Sequence, residues 1–231
     1  MKFAVALLCF FSVSDARPNV ELNRPIPHLN TAGRFRKSLE KPLTFSWKYL
    51  DLREVLKTIS DEFQISILLD RRIDPDLMLN GTLEDVLLKQ GLESISKQAS
   101  AKIRVVANTV YIGPSRNADQ LQKLVRLRTA ELFALSEEKQ FPRGRHRELA
   151  RRSTLHWNDL DRPAIIIEQI AERYKLNVKG LDRVPHDLWA HATLPAISSY
   201  EALSLLLIQF DLTFQWNNDA SAIQIIPLSK E

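Results

Sequence analysis

From Phe45 the chain alternates. Phe45, Trp47 and Tyr49 are separated by Ser46 and Lys48, the period of two that suits a half-buried strand. The period then lengthens: Val55, Leu56, Ile59 and Phe63 fall on one helical face, behind Asp51 at the N-cap position and Glu54 three residues on. Ile65–Leu69 is a short apolar run fit for a central strand, and Arg71–Asp76 is a charged turn. Leu77–Leu83 reads as a further strand in which Asn80-Gly81 marks a turn or bulge. Val86, Leu87, Leu92 and Ile95 predict a second helix over Glu84–Ala99, with Gly91 as its weak point. Ile103–Val106 and Thr109–Ile112 close as a hairpin around Ala107-Asn108, stopped by Gly113-Pro114. The predicted order is β-α-β-β-α-β-β.

The chain then repeats this pattern. Trp47 recurs as Trp157 and Leu50-Asp51 as Leu160-Asp161, 110 residues on. One extra residue shifts the spacing to 111, so that Phe63 meets Tyr174, Ile65 meets Leu176, and Asp76-Leu77 meets Asp187-Leu188. Pro163 sits in the first turn of the equivalent helix, whose buried face is Ile165, Ile166, Ile170 and Tyr174. Leu176 and Val178 follow in a strand, and Thr193-Leu194 stands where Thr82-Leu83 stood. Ser199 is placed to cap a helix built on Leu203, Leu206, Leu207 and Phe210; Leu212, Phe214 and Trp216 alternate, and Ile223–Ile226 end at Pro227. The fold class that follows is α+β. Two related βαββαββ modules, residues 44–114 and 155–228, are each expected to form a small mixed sheet with two helices on one face. Trp47 and Trp157, at equivalent strand positions among apolar neighbours, are expected in the cores.

Residues 115–154 form the linker. Within it, residues 117–138 are predicted helical, and Leu121, Leu124, Val125, Leu132 and Leu135 make an apolar stripe expected to dock against something, most simply one of the two modules. Residues 17–43, with Pro18, Pro25, Pro27 and Pro42, are expected to be an extended arm. Residues 1–16 carry the marks of an export signal: Lys2, the apolar run Phe3–Phe11, and Ser14-Asp15-Ala16 as a cleavage site. That run is shorter than the roughly 17–25 residues needed to span a bilayer, and no later segment is long and apolar enough. The expectation is a periplasmic or cell-envelope protein. Cys9, the single cysteine, lies inside the signal, which excludes disulfides, cysteine-bound zinc and a cysteine nucleophile from the mature chain.

The stretches FSWKYLDLREVLKTISDEFQISILLD, TLEDVLL and KIRVVANTVYIGP, answered by LHWNDLDRPAIIIEQIAERYKLNV, TLPAISSYEALSLLL and LTFQWNNDASAIQIIP, carry a resemblance. Each copy resembles the short N-terminal periplasmic (STN-like) module of secretins and TonB-dependent receptors. The resemblance implies a small α+β protein-interaction domain of the cell envelope. The copies are separated by a helical linker and come with no outer-membrane barrel or plug, so a pore or receptor role does not carry over. The expectation is a free-standing exported tandem.

Catalytic chemistry finds no footing. His186, Asp187 and His191 form the most site-like cluster, but the histidines are five residues apart and neither recurs beside Asp76, so a structural turn is preferred to a metal site. No Gly-x-Ser-x-Gly elbow occurs, and the six glycines lie too far apart for a phosphate loop. Asp74/Asp76 and Glu137/Glu138 read as solvated charges; a hydrolase would need a cluster assembled only by folding. No enzyme activity, cofactor or metal is expected.

The net positive charge is concentrated. Residues 115–154 hold ten Lys/Arg against five acids, while the whole chain carries +4. Arg143, Arg145, Arg147, Arg151 and Arg152 are candidate partner-binding residues for an anionic polymer or lipid. Nucleic acid is not expected, since there is no Gly-x-x-Gly clamp and no aromatic RNA-binding strand signature. The leading expectation is a non-enzymatic protein-interaction or scaffolding module whose partner, another envelope protein, adds to an open sheet edge. Binding of anionic polymer or lipid through Arg143–Arg152 is the alternative.

Overall fold

A computed structural model describes residues 27–139 and 141–229, so the expected signal peptide, Cys9 and the start of the arm lie outside the described residues. The rest of the arm is not extended throughout. Ala32–Leu39 form a helix, α1, whose Phe35 and Leu39, four residues apart, are buried. Two apolar positions in a charged stretch are too few to signal a helix, yet they suffice once a core receives them. Asn30 holds α1 down by donating from Nδ2 to Ser38 Oγ at 3.1 Å and to the Phe63 carbonyl at 3.0 Å.

The first module runs β1 (Pro42–Asp51), α2 (Leu52–Phe63), β2 (Ser66–Leu69), β3 (Met78–Leu87), α3 (Leu88–Gln98), β4 (Ala101–Val106) and β5 (Thr109–Pro114). The linker supplies α4 (Ser115–Ser136) and α5 (Arg145–Ala150). The second module runs β6 (Ser153–Trp157), α6 (Pro163–Arg173), β7 (Asn177–Lys179), β8 (Ala192–Ile197), α7 (Ser199–Leu207), β9 (Leu212–Trp216) and β10 (Ala222–Pro227). Single 3-10 turns occupy Leu181–Arg183 and Ile208–Phe210.

Local chemistry sets most boundaries. The Asp51 carboxylate accepts the Glu54 N–H at 2.7 Å and starts α2; Gln64, in the left-handed region at φ 51°, ends it. Pro163 opens α6. Ser198 rather than Ser199 caps α7, in a capping box with Glu201, while the Ser199 hydroxyl donates to the Leu149 carbonyl at 2.8 Å. The helix expected from Glu84 begins only at Leu88, because Val86 and Leu87 continue β3 opposite Leu43 and Pro42. Gly91 is accommodated in α3 by close packing, since a Cβ there would stand 2.6 Å from Leu43 Cδ2.

The structure is α+β with two sheet–helix modules, and in each module the strands are divided between two sheets. β1 pairs antiparallel with β3, as β6 does with β8. β2 runs parallel to β5, which pairs antiparallel with β4; β7, β10 and β9 repeat that arrangement. The register repeats too: Trp47 lies opposite Gly81 and Trp157 opposite Ala192. Both indoles are buried, at 4% and 1% exposure. A Cβ at Gly81 would stand 2.8 Å from the Trp47 ring, so the indole occupies the space a side chain would need.

The modules share a core. One apolar cluster belongs to the first module and contains Phe35, Trp47, Ile59, Val110 and Ile112. The other joins Trp157, Ile166, Leu206 and Phe214 of the second module to Leu121, Leu124 and Leu132 of α4 and to Leu68, Val106 and Tyr111 of the first module. Alternation along β5 explains this division: Val110 and Ile112 face their own helices, and Tyr111 between them faces the second module. The stripe on α4 thus docks where a stripe must. No helix among the described residues is long and apolar enough to cross a membrane.

Candidate functional site

Polar bonds close the seam around that shared core. Ser66 Oγ donates to the Thr193 carbonyl of β8 at 2.7 Å. Asn108, in the β4–β5 turn, donates from Nδ2 to the carbonyls of Pro195 at 3.1 Å and Ala196 at 3.2 Å. Three β8 carbonyls, those of Thr193, Pro195 and Ala196, therefore accept side-chain donors from the first module.

Two consecutive arginines follow β2 and straddle the second module. Arg72 forks onto Asp70, with Nε and Nη2 each 2.8 Å from a carboxylate oxygen, and reaches Asp211 through Nη1 at 2.9 Å and the Ile208 carbonyl at 3.1 Å. Asp70 is buried and also accepts the Tyr111 hydroxyl. Burial pushes the Tyr111 hydroxyl pKa well above its ordinary value, and the neighbouring Asp70 charge pushes the same way. For Arg72 burial disfavours the charge, but the bonds and charge of Asp70 outweigh it and raise its pKa. Asn117 at the start of α4 donates to Asp211 at 2.8 Å. Arg71 turns the other way, to Asp187 at 2.6 Å, and its guanidinium lies 5.1 Å from the Phe210 ring centroid. Burial works against the Asp187 carboxylate, yet bonds from Arg71 and Trp189 Nε1 hold its pKa below the usual range.

Between the Ser66 and Arg71 bridges the seam opens into a groove of about 560 Å³. Its floor is β2; Leu56 and Ile73 of the first module and Trp157 and Trp189 of the second give it apolar walls, with Arg53, Asp61, Asp159 and His191 at the rim. β2 is the edge strand of its sheet. The Asp70 N–H donates to the Ile112 carbonyl, which fixes the phase of the parallel ladder. Ser66 and Leu68 therefore direct their main-chain groups toward β5, and Ile67 and Leu69 direct theirs into the groove. There the N–H and C=O groups of Ile67 and Leu69 meet no partner among the described residues.

The histidine cluster is dispersed by this geometry. Asp187 is spent on Arg71, His191 Nδ1 lies 3.0 Å from Asp159, and His186 is exposed. Among the described residues no three His, Cys, Asp or Glu side chains converge as a metal site would require. The five arginines separate as well. Arg145 is turned inward, bonded to Glu148, to the carbonyls of Tyr174 and Lys175 at the end of α6, where a helix favours a cation, and to the Ala220 carbonyl in the β9–β10 turn. Arg152 pairs with Glu201 at 3.1 Å. Arg143, Arg147 and Arg151 stand exposed.

Asp70, Arg71, Arg72 and Tyr111 were not singled out by sequence reasoning. The available signal was a break in the repeat: under the 111-residue spacing Asp70-Arg71-Arg72 meets Leu181-Asp182-Arg183, so the first module carries a constellation its copy lacks. Compared with known proteins, the chain matches no family model and no curated protein.

Proposed function

We propose that this chain is an exported, non-enzymatic interaction module of the cell envelope that captures an extended segment of a partner protein along the outer edge of β2. The single observation carrying this reading is a pair of main-chain positions, Ile67 and Leu69, that meet no partner among the described residues, inside an apolar-walled groove. Edge strands elsewhere in natural sheets are covered or blunted, because open N–H and C=O groups recruit other chains. The β1–β3 ribbon is blunted in that way, with bulges at Tyr49 and Asp85, both at positive φ. β2 is left open within a groove that would accept alternate side chains of an added strand. The resemblance of both copies to secretin and TonB-receptor N-terminal modules, and the signal-like residues 1–16, support an envelope setting.

Ile67→Pro tests the reading. Proline there removes the outward N–H while leaving the bonds of Ser66 and Leu68 to β5 in place. The variant is expected to keep its circular dichroism spectrum and cooperative melting, yet to lose the envelope protein that the wild type retains on an affinity column at high salt. Undiminished capture by the folded variant would contradict it.

A further inference from the structure

The outer face of α4 and the neighbouring α5 make a second surface, independent of the groove. Leu121, Leu124 and Leu132 turn inward, so the opposite face of α4 presents Lys123, Arg126, Leu127, Ala130, Phe133 and Ala134 to solvent. Leu127 is 47% exposed and Phe133 52%. Helical spacing aligns them: Lys123, Leu127, Ala130 and Ala134 follow one another at intervals of three or four. The ring of Phe133 lies 4.4 Å, centroid to centroid, from that of His146 in α5, which brings the exposed Arg143 and Arg147 of the connector to the same end of the helix. Lys123, Arg126, Arg143 and Arg147 have no ion-pair partner among the described residues, unlike the inward Arg128 and Arg145, which pair with Glu131 and Glu148. Exposed Glu137, Glu138 and Lys139 complete this end, leaving cations in excess.

We infer that this face docks on the surface of a bilayer containing anionic phospholipid, with Leu127 and Phe133 entering the headgroup boundary and Lys123, Arg126, Arg143 and Arg147 meeting the lipid phosphates. An exposed aromatic and a leucine between unpaired cations are what interfacial binding combines. A soluble anionic polymer would use the cations and leave Phe133 and Leu127 without a role. None of these residues lines the β2 groove, so membrane docking and partner capture use different residues.

The test is sedimentation of the folded protein with vesicles of phosphatidylglycerol and phosphatidylcholine, against vesicles of phosphatidylcholine alone and against soluble polyphosphate. Binding is expected to the phosphatidylglycerol vesicles only, and to fall steeply with added salt. Neutralising Arg143→Gln and Arg147→Gln together should lower the partition coefficient roughly 25-fold, about fivefold for each cation. Leu127→Ser with Phe133→Ser should also release the protein from vesicles, and both positions are exposed enough for the fold to survive. Absence of vesicle binding, or binding that the Leu127/Phe133 double variant leaves unchanged, would overturn the inference. Retention by polyphosphate with equal loss in the arginine variant alone would assign the cations to a polymer instead. Ile67→Pro is expected to bind vesicles as the wild type does, which separates this result from the fate of the groove.

Discussion

At the residue scale the strongest constraints are close approaches and buried charges. Trp47 fills the space over Gly81, so Gly81→Ala must displace an indole that is 4% exposed. We expect a loss of about 1–3 kcal/mol in chemical denaturation; a neutral result would mean the ring shifts freely. Arg72→Ala is expected to cost more, about 3–5 kcal/mol, because it strands the Asp70 carboxylate, whose side chain has no exposure. A change below the Gly81 value would show that Tyr111 alone satisfies Asp70. The sequence disclosed these residues unequally. Trp47, Trp157 and the Asp51 cap were legible because each follows from a local pattern. Asp70 and Tyr111 were not, because their partners come from elsewhere in the chain and β5 reads as uniformly apolar on both faces.

Element by element, periodicity located the helices and strands well where an apolar face or a capping residue marked them. It failed at the β3–α3 junction, where Glu84–Leu87 suit either state and pairing with β1 decides for the strand. Nor could alternation tell one sheet from two, since each strand looks the same whichever neighbour it pairs with. The α4 stripe was legible, but its destination was not. Because Leu121 of α4 is fully buried in the cluster shared with the second module, Leu121→Ala should lower stability by about 2–5 kcal/mol. Differential scanning calorimetry of that variant should show one shifted transition; an unshifted one would mean α4 is peripheral to the core.

For the whole molecule, the repeat disclosed two modules but not that they share a core and a polar seam. Acid should act on that seam. Asp187 and Asp211 have depressed pKa values in the folded state: burial opposes this, and bonds from Arg71 and from Asn117 and Arg72 outweigh it. A depressed carboxylate stabilises the fold fully above its unfolded value of about 3.9 and loses that contribution as pH falls through the lower folded value. Stability should therefore be flat from neutral pH to about 5 and fall below about 4, read as melting temperature against pH. Arg71→Met should flatten the acid limb; an unchanged limb would place the acid sensitivity elsewhere.

The claim on which the functional reading turns is that the main chain of Ile67 and Leu69 is open in the free protein and paired in the complex. Residue-resolved amide hydrogen exchange measures this directly. The two amides should exchange rapidly in the free protein, while the Leu68 and Asp70 amides in the ladder with β5 are protected. With a captured partner bound, Ile67 and Leu69 should become protected as well. Protection at both amides before any partner is added, or rapid exchange that persists in the complex, would contradict capture along β2.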